Sequence, residues 1–337
     1  MFGKLVQRNC VVTTAAIAAV AAIVIVGNSV AGAAMVAADN ANNYTSADFN
    51  STPVNLGSGF GPWATAGNSG AAPYTGVYLN KPSYVPTLIG SGTYNAWAIY
   101  SDYPTSTTAG TESVYRALEN STSTGLGTLR IGQQISVDLS LQNGTGTINA
   151  NGQAASYGVS FMTGSGVSAT NVLQVSFTDL ATGTGGNTSS STALQTTITA
   201  ASGSASYLQG VSSNAILEAD LNDNSATNGS GISASLAITG GGSGSYNYSL
   251  KLTPLNGDPV ASYTGILTGP VNQIGVTYTG NQASSNHNAF FNNLAVSNVP
   301  AAPEPASLGL LAVGAGGLLL MRRRLTIDLA SKHYDAA

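Results

Sequence analysis

The chain has 337 residues, of which 43% are hydrophobic and only 7% charged, with 41 glycines; a soluble intracellular protein carries about 25% charged residues. Its basic residues gather at the two ends, leaving Lys81, Arg116, Arg130 and Lys251 against eleven acidic residues between Asp39 and Asp258. Nucleic-acid binding is not expected on this balance, because phosphate neutralisation needs clustered Lys and Arg.

Residues 1–38 read as a secretory signal: Lys4 and Arg8, the apolar run VVTTAAIAAVAAIVIV from Val11 to Val26, then small residues. Two cleavage points fit, after Ala31 in Ser29-Val30-Ala31 or after Ala38 in Val36-Ala37-Ala38. An uncleaved membrane helix is the weaker alternative, since the apolar run falls short of the ~20 residues a span needs. The only cysteine, Cys10, precedes the apolar core and is not in a lipoprotein cleavage box. A mature chain would therefore have no disulfide, no thiol chemistry and no Cys-based metal site.

Residues 39–298 suit one large all-β domain. Trp63, in the Gly-rich segment GFGPWATAG, is a candidate glycan contact, because sugar rings stack on exposed aromatic faces. Trp97, in the alternating YNAWAIY, reads as core. ISVDLSL places Ile135, Val137, Leu139 and Leu141 on one face and Ser136, Asp138 and Ser140 on the other; ISASLAI and YNYSLKL repeat the pattern. Such alternation marks strands with one buried and one wet face. Further strand candidates are 96–100, 157–161, 171–177, 263–267, 274–278 and 290–296, separated by turn clusters such as QNGTG, TGGGSG and LNGDP. About ten strands with almost no helical spacing predict two packed antiparallel sheets. The polar, low-complexity stretch 181–206 reads as a surface loop with one weak strand at Leu194 to Ile198.

Chemistry-bearing motifs are few. No glycine loop is followed by Lys-Ser/Thr, and the only interior histidine, His287, sits in the polar loop SSNHNAFF. In LEADLND, Glu218 and Asp220 share one strand face and resemble the paired carboxylates of the jelly-roll β-glucanase strand E-x-D-x-x-E. That resemblance implies a hydrolase with Glu218 as nucleophile and Asp220 as its helper. The third position is Asp223, shorter by one methylene and on the opposite face by parity, so the expectation is a non-enzyme. Asp220, Asn222 and Asn224 alternate as oxygen donors for a candidate calcium site, while Ser225 and Gly231 stand where an EF-hand needs glycine and a bidentate acid. No other cofactor is expected.

The C-terminus reads PEPASLGLLAVGAGGLLLMRRR: a Pro-rich linker over 299–305, a transmembrane helix over 306–321, and a basic cluster and cytoplasmic tail over 322–337. Pro303-Glu304-Pro305, the apolar run and Arg322, Arg323 and Arg324, together with the N-terminal signal, resemble the PEP-CTERM sorting proteins of exopolysaccharide-producing bacteria. The resemblance implies export through the inner membrane and temporary membrane anchoring, with the arginines held on the cytoplasmic side. It further implies cleavage by an exosortase-type enzyme and a final place at the cell surface or in the extracellular matrix. The run of sixteen residues contains Gly309, Gly314, Gly316 and Gly317, which suits a temporary stop better than a permanent anchor. AWAIYS, LRIGQQISVDLSLQNGTGTINANG, YGVSFMTGSG and FFNNLAVSNV resemble the passenger domain often found before this signal. That likeness implies a concanavalin/laminin-G-like jelly roll. The expected protein is a non-catalytic, structural or polysaccharide-contacting surface component; a self-associating adhesin without a sugar site is the other reading.

Overall fold

Alternation of apolar and polar residues gives each strand a dry and a wet side, and two such sheets close over one core. The computed structural model describes residues 35–45, 55–67, 74–80, 96–102, 110–119, 127–142, 156–179, 194–200, 203–207, 222–223, 231–242, 244–280 and 288–299. The expected signal core, sorting motif, transmembrane run and basic tail lie outside these residues.

Among the described residues there are sixteen strands: β1 (Met35–Asp39), β2 (Phe60–Gly67), β3 (Tyr74–Asn80), β4 (Ala96–Asp102), β5 (Gly110–Leu118), β6 (Gln133–Gln142), β7 (Ser156–Thr163), β8 (Thr170–Asp179), β9 (Leu194–Ala200), β10 (Gly203–Tyr207), β11 (Asn222–Asp223), β12 (Ile232–Gly242), β13 (Ser245–Pro254), β14 (Ala261–Leu267), β15 (Gln273–Gly280) and β16 (Asn288–Asn298). The first sheet runs β14-β13-β12-β6-β16-β4-β3, with β1 also on β16 and β11 on β6; the second runs β10-β9-β8-β7-β15-β5-β2. Every pairing is antiparallel except the two-residue β11–β6 contact. The chain is all-β in two sheets, as the alternation predicts. Every strand candidate falls inside a strand, and the polar stretch 181–206 contributes β9 and begins β10, a hairpin at the edge of the second sheet.

The sixteen described strands exceed the ten or so expected: β1, β2, β3, β5, β10 and β11 lie outside the candidate segments, and two of them are instructive. β1 occupies Met35–Asp39, so the sandwich begins before the expected domain boundary at Asp39. β5 places Glu112, Val114, Arg116 and Leu118 inward, and two charges on the buried face hide its alternation.

Arg116 is fully buried and pairs at 2.8 Å with Asp39 of β1. The pair ties the second sheet to the first. The Tyr44 hydroxyl donates to Asp39 at 2.8 Å and accepts from Arg116 Nη1 at 3.2 Å, and Arg116 Nη2 donates to Asn55 Oδ1 at 2.6 Å. The guanidinium lies 4.7 Å from the centroid of the Trp63 ring, and Trp63 in turn meets Trp97 edge-to-face at 5.0 Å. Burial raises the Asp39 carboxyl above its usual value, outweighing the opposing pull of the Arg116 charge. A second inter-sheet bond runs from the Tyr157 hydroxyl to the Phe290 carbonyl. It sits four residues along β15 from the Arg116 register, where Ile274 faces Arg116 and Tyr278 faces Tyr157, about 13 Å away at strand rise.

Arg116→Met leaves a buried carboxylate without its counter-charge and is expected to cost about 3–5 kcal/mol. Combining it with Asp39→Asn is expected to restore part of that loss, and urea unfolding of both variants checks this. Equal destabilisation of the single and double variants would show that the orphaned Asp39 carboxylate is not what the single substitution costs.

Candidate functional site

The positions of the second sheet that point away from the core are its most distinctive set. From register they are Thr111, Ser113, Tyr115 and Ala117 on β5, Gln273, Gly275, Thr277 and Thr279 on β15, Ser156, Gly158, Ser160 and Met162 on β7, with Gln174, Ser176 and Thr178 on β8 and Gln195, Thr197 and Thr199 on β9. None of these side chains is charged. Ser113, Gly158, Ser160, Met162, Gln273 and Gly275 among them are buried, and the remainder are half-buried or exposed. Hydroxyls pair across the strands, Thr111 with Thr279 at 3.0 Å and Ser113 with Thr277 at 2.9 Å. Each hydroxyl both donates and accepts; the half-buried Thr111, Thr277, Thr279, Ser176 and Thr178 can meet the hydroxyls of an uncharged ligand, while the buried Ser113 and Ser160 support the row from beneath.

Two features shape this face. Tyr115 stands opposite Gly275, and a Cβ at Gly275 would lie 2.8 Å from its ring. The glycine therefore lets the ring lie across the neighbouring strand, half-buried, with the rest of its surface outward. Along β15, the Gln273 side chain closes a two-way amide bond with the turn at Gly166: Gly166 N donates to Oε1 at 2.6 Å and Nε2 donates to the Gly166 carbonyl at 2.9 Å. That clamp holds the short 3₁₀ turn Gly166–Ser168, with Val167 exposed, against one end of the hydroxyl floor. An aromatic face, hydroxyl rows and a pinned turn can hold a sugar chain by ring contact and hydrogen bonds.

The first sheet's outward face is different in kind. It carries Lys251, Asp138 and the exposed Ile266 among its serines and threonines, and at one end Ala96, Ala98 and Phe290 are fully buried with Tyr78 and Leu255 packed on them. Asp138 accepts from Asn293 Nδ2 at 2.8 Å and bonds the Ser233 side chain. Asn293 sits at the bulge where β16 changes register on β6, with φ at 51°, a conformation that Asn tolerates better than most residues. Its neighbour Asn292 is buried and accepts the Ala41 N–H at 2.9 Å.

The site residues expected from sequence fall elsewhere. Trp63 is 5% exposed and packed against Trp97, Phe291 and Arg116, which corrects its reading as a glycan contact: it offers no free face for a sugar. Asn222 and Asp223 form β11 against Leu141 and Gln142, while Glu218, Asp220, Asn224 and His287 lie outside the described residues. Among the described residues, no group of three or more His, Cys, Asp or Glu is placed to hold a metal, and no helix is long and apolar enough to cross a membrane. The Tyr115 face escaped the sequence reading because neither β5 nor its register with β15 is visible without the fold. The available signal was the closely spaced Thr and Gly of QIGVTYTG.

No protein-family model matches the chain, and no curated protein matches it in sequence. Among solved structures, a GalNAc-bound lectin from Bauhinia forficata is similar at 7% identity and a TM-score of 0.33, covering 70% of this chain and 97% of its own. An endo-1,3-β-glucanase from Streptomyces sioyaensis is similar at 10% identity and a TM-score of 0.36, covering 79% and 96%. The receptor-binding domain of botulinum neurotoxin D is similar at 10% identity and a TM-score of 0.33, with 77% of this chain matched to 48% of that one. These likenesses assign no ligand to this chain.

Burial raises the Asp138 carboxyl above its usual value, against the lowering effect of its bonds to Asn293 and Ser233. A carboxyl raised by folding stabilises below its unfolded pKa, and that contribution is lost as pH rises through the folded value. Asp138→Asn imitates the protonated group. Its stability relative to the parent is therefore expected to improve between pH 4 and pH 7, as read by thermal unfolding at both values; a gap that is constant or shrinks with rising pH contradicts this.

Proposed function

We propose that the protein is an exported, non-catalytic surface component whose second sheet rests its outward face on uncharged polysaccharide. The observation that carries this reading is the uncharged array of hydroxyls and amides around Tyr115, bounded by the turn that Gln273 clamps. Charged ligands would find no counter-charge there. A polymer of hydroxyls finds donors and acceptors in rows, and a ring for its apolar edges.

The route to the surface follows from the two ends of the sequence. The N-terminal signal directs export, and Pro303-Glu304-Pro305 with the apolar run and Arg322 to Arg324 presents the chain to an exosortase-type enzyme. The winding supports the jelly-roll reading of the passenger: β15 enters between β7 and β5 in one sheet and β16 between β6 and β4 in the other. Late strands thus fill the centres of both sheets, a closure typical of Greek-key sandwiches.

Affinity electrophoresis of the purified domain-bearing chain in gels containing a neutral glucan tests the binding. Retardation is expected to be insensitive to ionic strength, because none of the described side chains on this face is charged. Tyr115→Ala is expected to weaken it roughly 2- to 10-fold, the range of one aromatic contact. Salt-sensitive binding, or retardation unchanged in Tyr115→Ala, overturns the assignment of this face. Intact mass of protein recovered from the cell surface or medium tests the sorting step: loss of Arg322 to Ala337 is expected, and its retention overturns that step.

A further inference from the structure

The sequence leaves two points for removal of the leader, after Ala31 or after Ala38, and only one is compatible with the folded domain. We infer that the leader is removed after Ala31, so that the mature chain begins at Gly32 and keeps β1. This rests on the export reading above.

β1 is part of the sandwich. It pairs with β16 through Met35 with Ser297, Ala37 with Val296, Ala38 with Ala295 and Asp39 with Leu294. Ala38 and Ser58 exchange backbone bonds at 3.0 and 2.9 Å, which fastens the segment before β2 to the same strand. The Ala37 side chain is buried, and a Cβ at Gly59 would lie 2.7 Å from it; Gly59 also has φ at 73°, so the turn before β2 is shaped around Ala37. Asp39 is 2% exposed and is the carboxylate partner of Arg116.

A cut after Ala38 removes the strand up to the ion pair. It strips Met35 to Ala38 from the edge of β16, deletes both Ala38–Ser58 bonds and vacates the space beside Gly59. It also makes Asp39 the N-terminal residue, placing a new ammonium on a buried residue whose carboxylate already serves a guanidinium. Burying that charge without a partner of its own is costly. A cut after Ala31 spares all of this. It leaves Gly32, Ala33 and Ala34 as a short lead into Met35, which is 62% exposed. Both sites present alanine before the cut and a small or β-branched residue two positions earlier, so the leader peptidase's own preference does not separate them; the stability of the product does.

The test is N-terminal sequencing and intact mass of the full chain exported from a bacterial host with a functional leader peptidase. A first residue of Gly32 is expected. A first residue of Asp39 in the folded protein overturns this inference and leaves export standing, whereas retention of Met1 with the whole leader overturns the export reading beneath it. Gly32→Pro, which hinders cleavage after Ala31 by fixing the backbone and removing an N–H, supplies a second arm. Accumulation of precursor, or an Asp39 product reduced several-fold in amount by degradation, agrees with the inference. A protease-resistant Asp39 product at parental yield overturns it.

Discussion

The buried pair between Arg116 and Asp39 is the constraint on which the arrangement of both sheets depends. A guanidinium with no exposure, on the inward face of β5, requires a counter-charge, and the only described carboxylate in contact with it is at the end of β1 in the opposite sheet. Removing two charges from water costs several kcal/mol per ion before any attraction is counted, and the upward displacement of the Asp39 carboxyl records that cost. The surroundings limit it: Tyr44 accepts from Nη1 and Asn55 from Nη2, and the Trp63 face covers the guanidinium's flat side, while Nε is left buried without a partner among the described residues. A hydrophobic pair of similar volume is often at least as stable; what this pair adds is a directional contact that holds β1 and the segment through Tyr44 against β5.

A second consequence concerns the two ends. β16 is shared along one edge by β4, against Asn288 to Phe291, and by β1, against Leu294 to Ser297. Asn292 and Asn293 mark the hand-over. One asparagine holds the chain after β1 through Ala41, and the other reaches back to Asp138 of β6 while accepting from Asn40. Met35 and Ser297 consequently lie on paired positions, and the chain enters and leaves the sandwich on neighbouring strands. A cut on the outer side of both points would remove only what lies beyond the paired strands and leave the core intact.

Where the inward face is apolar, the sequence is a sufficient guide: β6, β12, β13 and β15 alternate openly, and each buries the apolar residues its pattern assigns to the core. It misleads where chemistry and parity part. β5 hides because Glu112 and Arg116 take inward positions; β1 hides because Met35 to Asp39 continues the small-residue composition of the sequence just before it. Trp63 shows the limit for sites. Its Gly-Pro neighbourhood reads as an exposed turn, yet the strand turns its indole inward because an arginine beneath needs an aromatic cover, a need that lies fifty-odd residues away in sequence. The hydroxyl face was equally out of reach, since it is a property of five strands in register and of no single segment.

The scarcity of charge then bears on how such a face recognises anything. Charged surfaces draw ligands from a Debye length or more, and raise association rates accordingly. The second sheet's outward rows have no such reach; their contacts act only at hydrogen-bond and van der Waals distance, each contributing little after water is displaced. Recognition on those terms is selective for a ligand that presents the same pattern repeatedly, because a second contact on one polymer forms at high effective concentration once the first is made. The same uncharged surface would bind a single small sugar poorly. On the proposed reading, Tyr115 and the Gly166 turn would give a polymer its first contact, and the polymer's repeat would supply the others.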